Sequence, residues 1–262
     1  MRNTELVKIV IPIYKPHPDN FEKISLKRCF EIFNDIPIVF IKPSMLNIKW
    51  YANNYPKISY VDFEDDYFNG IAGYNRLMLS PDFYEKFLDS EYILIYQLDA
   101  FAFRNELTDW CNKGYDYVGA PWILKPKYHK WYMKAFLRVK SINYKIKKRP
   151  FAPLFLGDKV GNGGFSLRKV LPHYNSAKNK TNRINYFLEC SNKFSEYNED
   201  AFWALENREF RYPCVNEALL FSIDNYPEIC FKMNDSKLPF GCHGWSKPDK
   251  IDFWKSQISL TQ

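Results

Sequence analysis

Asp99 has the most chemistry to offer in this chain. It ends the run Tyr92-Ile93-Leu94-Ile95-Tyr96-Gln97-Leu98-Asp99, in which β-prone residues lead straight into a carboxylate. Such a run suits a strand buried on both faces. A charge is costly inside an apolar core unless something compensates it. Asp99 therefore belongs at the strand's C-terminal end, where open α/β sheets place their ligands. A carboxylate there can hold a divalent metal, and the metal can hold a diphosphate. The same residue could instead cap the following turn or helix, as could Asn105 nearby.

Three other stretches hold residues of similar promise. Glu199-Asp200 stands before the helical run 201–207. Two carboxylates there can take a proton from a hydroxyl, or simply favour the positive end of a helix dipole. His243 lies in the turn-rich block 238–245, as a metal ligand or as an ordinary turn residue. Gly161, Gly163 and Gly164 give a loop where backbone can approach a ligand closely, or one that forms a bulge or tight turn. That loop is not a P-loop, because no Gly-Lys-Ser/Thr follows. It is not a dinucleotide fingerprint either, because it lies mid-chain and not after the first strand.

The elements that must position these residues alternate in type. Residues 7–13 read as a strand, 20–33 as a helix, and 36–41 and 58–63 as two further strands. Residues 71–87 look helical through their first part, with Tyr74, Asn75 and Arg76 near the start, and 92–98 form the fourth strand. Strand alternating with helix implies a mainly parallel central sheet with helices on both faces. After Asp99 the segments shorten and turns multiply. No repeat and no low-complexity linker divides the chain, so one α/β domain over 1–262 is expected.

Apolar residues make up 46% of the 262, ample for a core. The formal charge of +7 is local: residues 123–157 hold ten Lys and Arg and no acid, and the remainder carries about −3. Within that segment Tyr128, Trp131, Tyr132, Ala135, Phe136, Val139 and Ile142 recur at helical spacing, with Lys127, Lys130, Lys134 and Arg138 largely off the stripe. The pattern over 126–149 fits a basic amphipathic helix lying on an anionic membrane surface. It also fits a surface helix packed on its own core. Nucleic acid is a weaker partner, because no recognised reading module accompanies the patch. The six cysteines form no Cys-x-x-Cys pair, which reads as reduced thiols packing as small hydrophobes. The N-terminal apolar run is too short and broken for a signal or a membrane span, so a cytoplasmic protein is expected, peripheral at most on the inner face of the membrane.

Four blocks occur in fixed order: Gln97-Leu98-Asp99-Ala100-Phe101, Asp116-Tyr117-Val118-Gly119-Ala120-Pro121-Trp122, Gly161-Asn162-Gly163-Gly164-Phe165-Ser166-Leu167-Arg168, and Asn198-Glu199-Asp200. Together they resemble a bacterial family catalogued as a domain of unknown function and regarded as GT-A-type glycosyltransferases. The resemblance implies a Rossmann-like GT-A fold, with a nucleotide-sugar-binding half at 1–104 and an acceptor half at 105–245 that contains the basic segment 123–150. It implies transfer of a hexose from a nucleotide-diphosphate sugar, UDP-linked on family grounds, to a bacterial surface glycan or lipid-linked glycan, with inversion. Asp99 and His243 would hold Mn²⁺ or Mg²⁺, and Gln97 stands where the family's Asp-x-Asp motif has its first carboxylate. Asp200 would be the base, with Glu199 beside it for the acceptor. Pro12, Tyr14, Lys15, Asn75, Arg76, Gln97, Asp99, Trp122, Gly163 and Gly164 would line the donor. The substituted Gln97 keeps a second reading open, a sugar-nucleotide or polyanion binder without catalysis.

Overall fold

The computed structural model describes residues 4–124, 130–146, 156–193 and 197–258. Its larger sheet has a parallel half of β1 (Glu5–Pro12), β2 (Ile38–Pro43), β3 (Ser59–Phe63) and β4 (Ser90–Tyr96), in the order β3-β2-β1-β4. A smaller sheet sets β5 (Ala100–Ala102) beside a strand formed near the chain's end. β6 (Tyr117–Val118) and β7 (Phe165–Lys169) extend the larger sheet antiparallel past β4, giving β4-β7-β6. β8 (Ser222–Ile223) and β9 (Gly241–His243) complete the smaller sheet, in the order β5-β9-β8.

The helices follow as α1 (Asn20–Ile32), α2 (Lys49–Asn54), α3 (Gly70–Leu79), α4 (Pro81–Glu85), α5 (Leu107–Asn112) and α6 (Trp131–Ile146). Later come α7 (Val170–Asn179), α8 (Thr181–Ser191), α9 (Glu199–Glu206), α10 (Val215–Phe221), α11 (Pro227–Met233) and α12 (Ile251–Ile258). The expected α/β architecture is present as a mixed sheet covered by helices.

Alternation along the strands sorts the core into two layers. Tyr92, Leu94 and Tyr96 of β4 join one apolar cluster with Leu26 and Cys29 of α1 and Trp110 of α5. Ile93 and Ile95 join another with Leu77 and Met78 of α3 and Phe202 and Trp203 of α9. A period-two pattern that is apolar on both faces requires helices on both sides. The smaller sheet has its own cluster, where Phe101 and Cys242 meet Trp245 and Trp254.

Where the expected elements and the structure differ, local chemistry explains it. β4 stops at Tyr96 and residues 97–99 form a tight turn, in which the Ala100 N–H donates to the Gln97 carbonyl at 2.8 Å. The helical reading of 71–87 breaks at Ser80-Pro81. Pro81 has no N–H to continue α3, and the Ser80 hydroxyl accepts from the Phe83 N–H at 3.1 Å to cap α4. Of the segment 126–149, residues 126–129 and 147–149 lie outside the described residues, and α6 covers most of the rest. Five of the six cysteines are buried and none is paired.

Candidate functional site

The smaller sheet lays a row of charged side chains across one edge. His243 is the last residue of β9, the central strand. β5 runs antiparallel to it with Ala100 opposite His243, so Asp99 arrives on one side of the imidazole. β8 runs parallel with Ile223 opposite Cys242, so Asp224 arrives on the other. His243 Nε2 lies 3.1 Å from Asp99 Oδ1 and 3.1 Å from Gln97 Oε1. Nδ1 lies 3.3 Å from Asp224 Oδ1, off the line of a good hydrogen bond, and makes no hydrogen bond among the described residues.

Two lysines complete the row. Lys250 Nζ is 2.8 Å from Asp224 Oδ1, and Lys247 Nζ is 3.6 Å from Asp99 Oδ2. Burial works against charge at each of these groups, but their partners win. Asp224 is held down at about 2 by His243 and Lys250, Asp99 well below the carboxylate range by His243 and Lys247, and His243 is raised to about 9 by the two carboxylates. The imidazole is therefore charged at neutral pH.

A second acidic centre opens α9. Glu199 Oε1 accepts from Arg168 Nη2 at 2.9 Å, and both side chains are buried. Arg168 also donates to Tyr84 Oη at 2.9 Å and lies over the Tyr117 ring, 5.4 Å from its centroid. Asn75 of α3 accepts from the Glu199 N–H at 3.0 Å and ties α9 to the sheet side of the site. Glu199 Oε2 is buried without a hydrogen-bond partner among the described residues. Burial, and then the charge of Glu199, push Asp200 up to about 7 against the Ala201 N–H that donates to it at 2.7 Å.

Gly163 and Gly164 lie between the two centres. A Cβ on Gly163 would stand 2.1 Å from Glu199 Oε1, and one on Gly164 would stand 2.1 Å from His243 Nε2. Neighbouring Cα atoms are 3.8 Å apart, so the two functional groups lie within roughly 10 Å of each other. The missing side chains are thus what let the imidazole and the carboxylate reach the loop.

Both centres border one cavity of about 720 Å³, lined by ten of the residues singled out in the sequence: Pro12, Tyr14, Asn75, Gln97, Asp99, Gly163, Gly164, Glu199, Asp200 and His243. Three others are elsewhere. Lys15 is engaged with Glu22 at 2.9 Å. Arg76 follows Asn75 on α3, so a helical turn of about 100° carries it off the site face. It donates instead to the Asp66 carbonyl at 2.8 Å. Trp122 packs against the cluster around α9. Glu22, Tyr74, Asn162, Asp224, Lys247 and Lys250 line the cavity without having been singled out as site residues. Glu22 is there because it completes the capping box of α1, accepting from the Asp19 N–H at 2.8 Å.

Gln97 Oε1, Asp99 Oδ1 and His243 Nε2 can be tested as a metal site. Cis ligands of an octahedral Mg²⁺-type ion stand about 3 Å apart. Nε2 is already at 3.1 Å from both oxygens. In the charged imidazole the Nε2 proton lies between these atoms, and its loss would leave three lone pairs converging on one point, a donor set that fits such an ion. It holds a single carboxylate, and among the described residues no group of three His, Cys, Asp or Glu side chains surrounds one point.

A family model described as "Protein of unknown function (DUF5672)" matches residues 57–243. Comparison with curated proteins gives no match. Among solved structures, mouse xyloside xylosyltransferase 1 in its apo form is similar at 12% identity and a TM-score of 0.53, over 93% of this chain and 98% of that one. Galactosyltransferase LgtC, in complex with donor and acceptor sugar analogues, is similar at 12% identity and a TM-score of 0.53, over 97% and 94%. The apo glycosyltransferase GlyE of Streptococcus pneumoniae TIGR4 is similar at 11% identity and 0.51, over 98% of this chain and 61% of that one. At these identities the likeness establishes the fold, that of GT-A glycosyltransferases.

Proposed function

The chain belongs to the DUF5672 family of proteins of unknown function, and from that starting point we propose that it is a glycosyltransferase. It moves a hexose from a nucleotide-diphosphate sugar, UDP-linked, to a hydroxyl of a bacterial surface glycan or lipid-linked glycan. The observation that carries this reading is one cavity in which the Gln97, Asp99 and His243 cluster and the Glu199-Asp200 pair flank two glycines. The fold shared with structures of sugar-transferring enzymes supports it.

Gln97, Asp99 and His243 would hold Mn²⁺ or Mg²⁺, which when bound neutralises the diphosphate leaving group. Lys247, about half exposed beside Asp99, adds a mobile positive charge to that end of the cavity. Pro12, the last residue of β1, and Tyr14 just after it wall the part that suits the base and ribose. Gly163 and Gly164 let the sugar lie against backbone. Asp200 takes the proton of the acceptor hydroxyl as its oxygen bonds to the anomeric carbon and the bond to the diphosphate oxygen breaks. Attack from the opposite face inverts the anomeric centre. Glu199, fixed by Arg168 at the cavity wall, orients the acceptor beside Asp200.

The acceptor is met at a membrane. Trp131, Phe136, Val139, Ile142 and Ile146 of α6 are exposed, Trp131 to 81%, in the segment that carries the chain's excess positive charge. Such a helix suits the inner face of a membrane with anionic lipid, where lipid-linked glycans are presented. No helix among the described residues is long and apolar enough to cross it.

The test is a panel of nucleotide sugars with and without Mn²⁺, read as release of nucleoside diphosphate. One UDP-hexose should be turned over, and proton NMR of the product should show inverted configuration. Binding of nucleotide sugars with neither hydrolysis nor transfer would leave a non-catalytic binder instead.

A further inference from the structure

The side of His243 that faces away from Asp99 is served by a residue that no sequence motif marks. Asp224 stands there because β8 ends at Ile223, in register with Cys242 of β9. Its carboxylate accepts three hydrogen bonds. Oδ1 receives Lys250 at 2.8 Å and faces His243 Nδ1 at 3.3 Å. Oδ2 accepts from Asn162 Nδ2 at 2.8 Å and from Asn225 Nδ2 at 2.8 Å. A carboxylate held by three donors is poorly placed to take a metal itself. Its Oδ1 faces Nδ1 at ion-pair distance, without a hydrogen bond in this arrangement.

We propose that Asp224 is a positioning residue for the cation site, holding the His243 ring from Nδ1 so that Nε2 is presented to the same point as Gln97 Oε1 and Asp99 Oδ1. This rests on the cation reading of those three atoms given above. Metal-bound histidines commonly have their second nitrogen held by a carboxylate, which fixes ring orientation and tautomer. Asp224 extends the effect beyond the ring. Through Asn162, whose Oδ1 also accepts from the Gly164 N–H at 3.2 Å, it couples His243 to the glycine loop that borders the acidic pair. Lys250 is the counterweight. Buried beside Asp224, it offsets the second negative charge, so that the carboxylate can serve His243 without drawing the cation away from Asp99.

The test uses the full chain and Mn²⁺ alone, with affinities from titration calorimetry at pH 8. Asp224→Asn would strand the buried Lys250 and could unfold the protein. The comparison is therefore made in a Lys250→Met background, with thermal unfolding in chelator as the folding control. Adding Asp224→Asn to Lys250→Met should weaken Mn²⁺ binding by about 10–100-fold. His243→Ala in the same background should weaken it at least as much. The two together should weaken it no further than His243→Ala alone, because they act through one ligand. Unchanged affinity on adding Asp224→Asn would overturn the proposal and reduce Asp224 to the partner of Lys250. So would losses that add. Absence of Mn²⁺ binding by the unaltered protein would instead remove the cation reading itself, and this inference with it.

Discussion

Asp200 keeps its proton up to about pH 7 because it is lodged beside Glu199 in a poorly solvated corner of the cavity. A base acts only when unprotonated, so kcat/KM should rise with pH through about 7 and level off above it. Stability runs the other way. The ordinary value is 3.8, so between 3.8 and about 7 the folded state holds a proton that the unfolded state has released. Stability therefore falls as pH rises through that window, and the whole penalty is present above it. Asp200→Asn should lower turnover by about 10²–10⁴-fold. It should also raise the melting midpoint at pH 8 while leaving it almost unchanged at pH 3.5, and a lower midpoint at pH 8 would contradict the assignment. The glycines give a second expectation. Gly164→Ala drives a methyl into the His243 imidazole and should abolish Mn²⁺ binding, whereas Gly163→Ala strikes Glu199 and should spare it. Calorimetry on the two variants separates them. At this scale the sequence showed Asp99, Glu199, Asp200 and His243, because their side-chain types announce chemistry. It hid Asp224, which follows a strand only two residues long, too short for any periodicity to register. It also hid Lys247 and Lys250, which resemble solvated surface charges until β9 brings them round to the carboxylates.

Among the elements, α6 carries the most testable consequence. Trp131, Phe136, Val139, Ile142 and Ile146 are exposed, while Met133, Leu137 and Tyr144 are half-buried, so an apolar face is left open among the described residues. Vesicles containing anionic lipid should bind the protein reversibly, and added salt should weaken the binding, because it screens the charge term. Charge reversal at Lys130, Arg138 and Lys140 should release it while leaving turnover of a soluble acceptor intact. Co-sedimentation that ignores lipid charge would rule the surface out. Long periodic elements were the legible ones: β1, β2, β3, β4 and α1 are close to where the apolar pattern puts them. The short strands β5, β6, β8 and β9 were not, since two or three residues carry no pattern. Their pairing is decided by contacts distant in sequence, such as Phe101 against Cys242.

For the molecule as a whole, the two sheets differ in how they are held. The parallel half is closed by two apolar layers, while the smaller sheet has three short strands and a separate cluster. Native-state hydrogen exchange should therefore find the β1 and β4 amides opening only with global unfolding, and the β5 and β9 amides opening at lower free energy. Mn²⁺ with UDP should selectively slow exchange in β5 and β9, and equal protection of both sheets without ligand would count against this division. The alternation of strand and helix made the first sheet readable from composition and period. The second sheet, which builds the site, is written in tertiary contacts alone.

The pairing of Ala100 with His243 also sets a timetable for synthesis. Asp99 precedes its partners His243 and Lys247 by more than a hundred residues, so they follow only long after it has left the ribosome. A chain terminated before β9 thus lacks the imidazole that faces Asp99, and on the proposed function has no complete place for a cation.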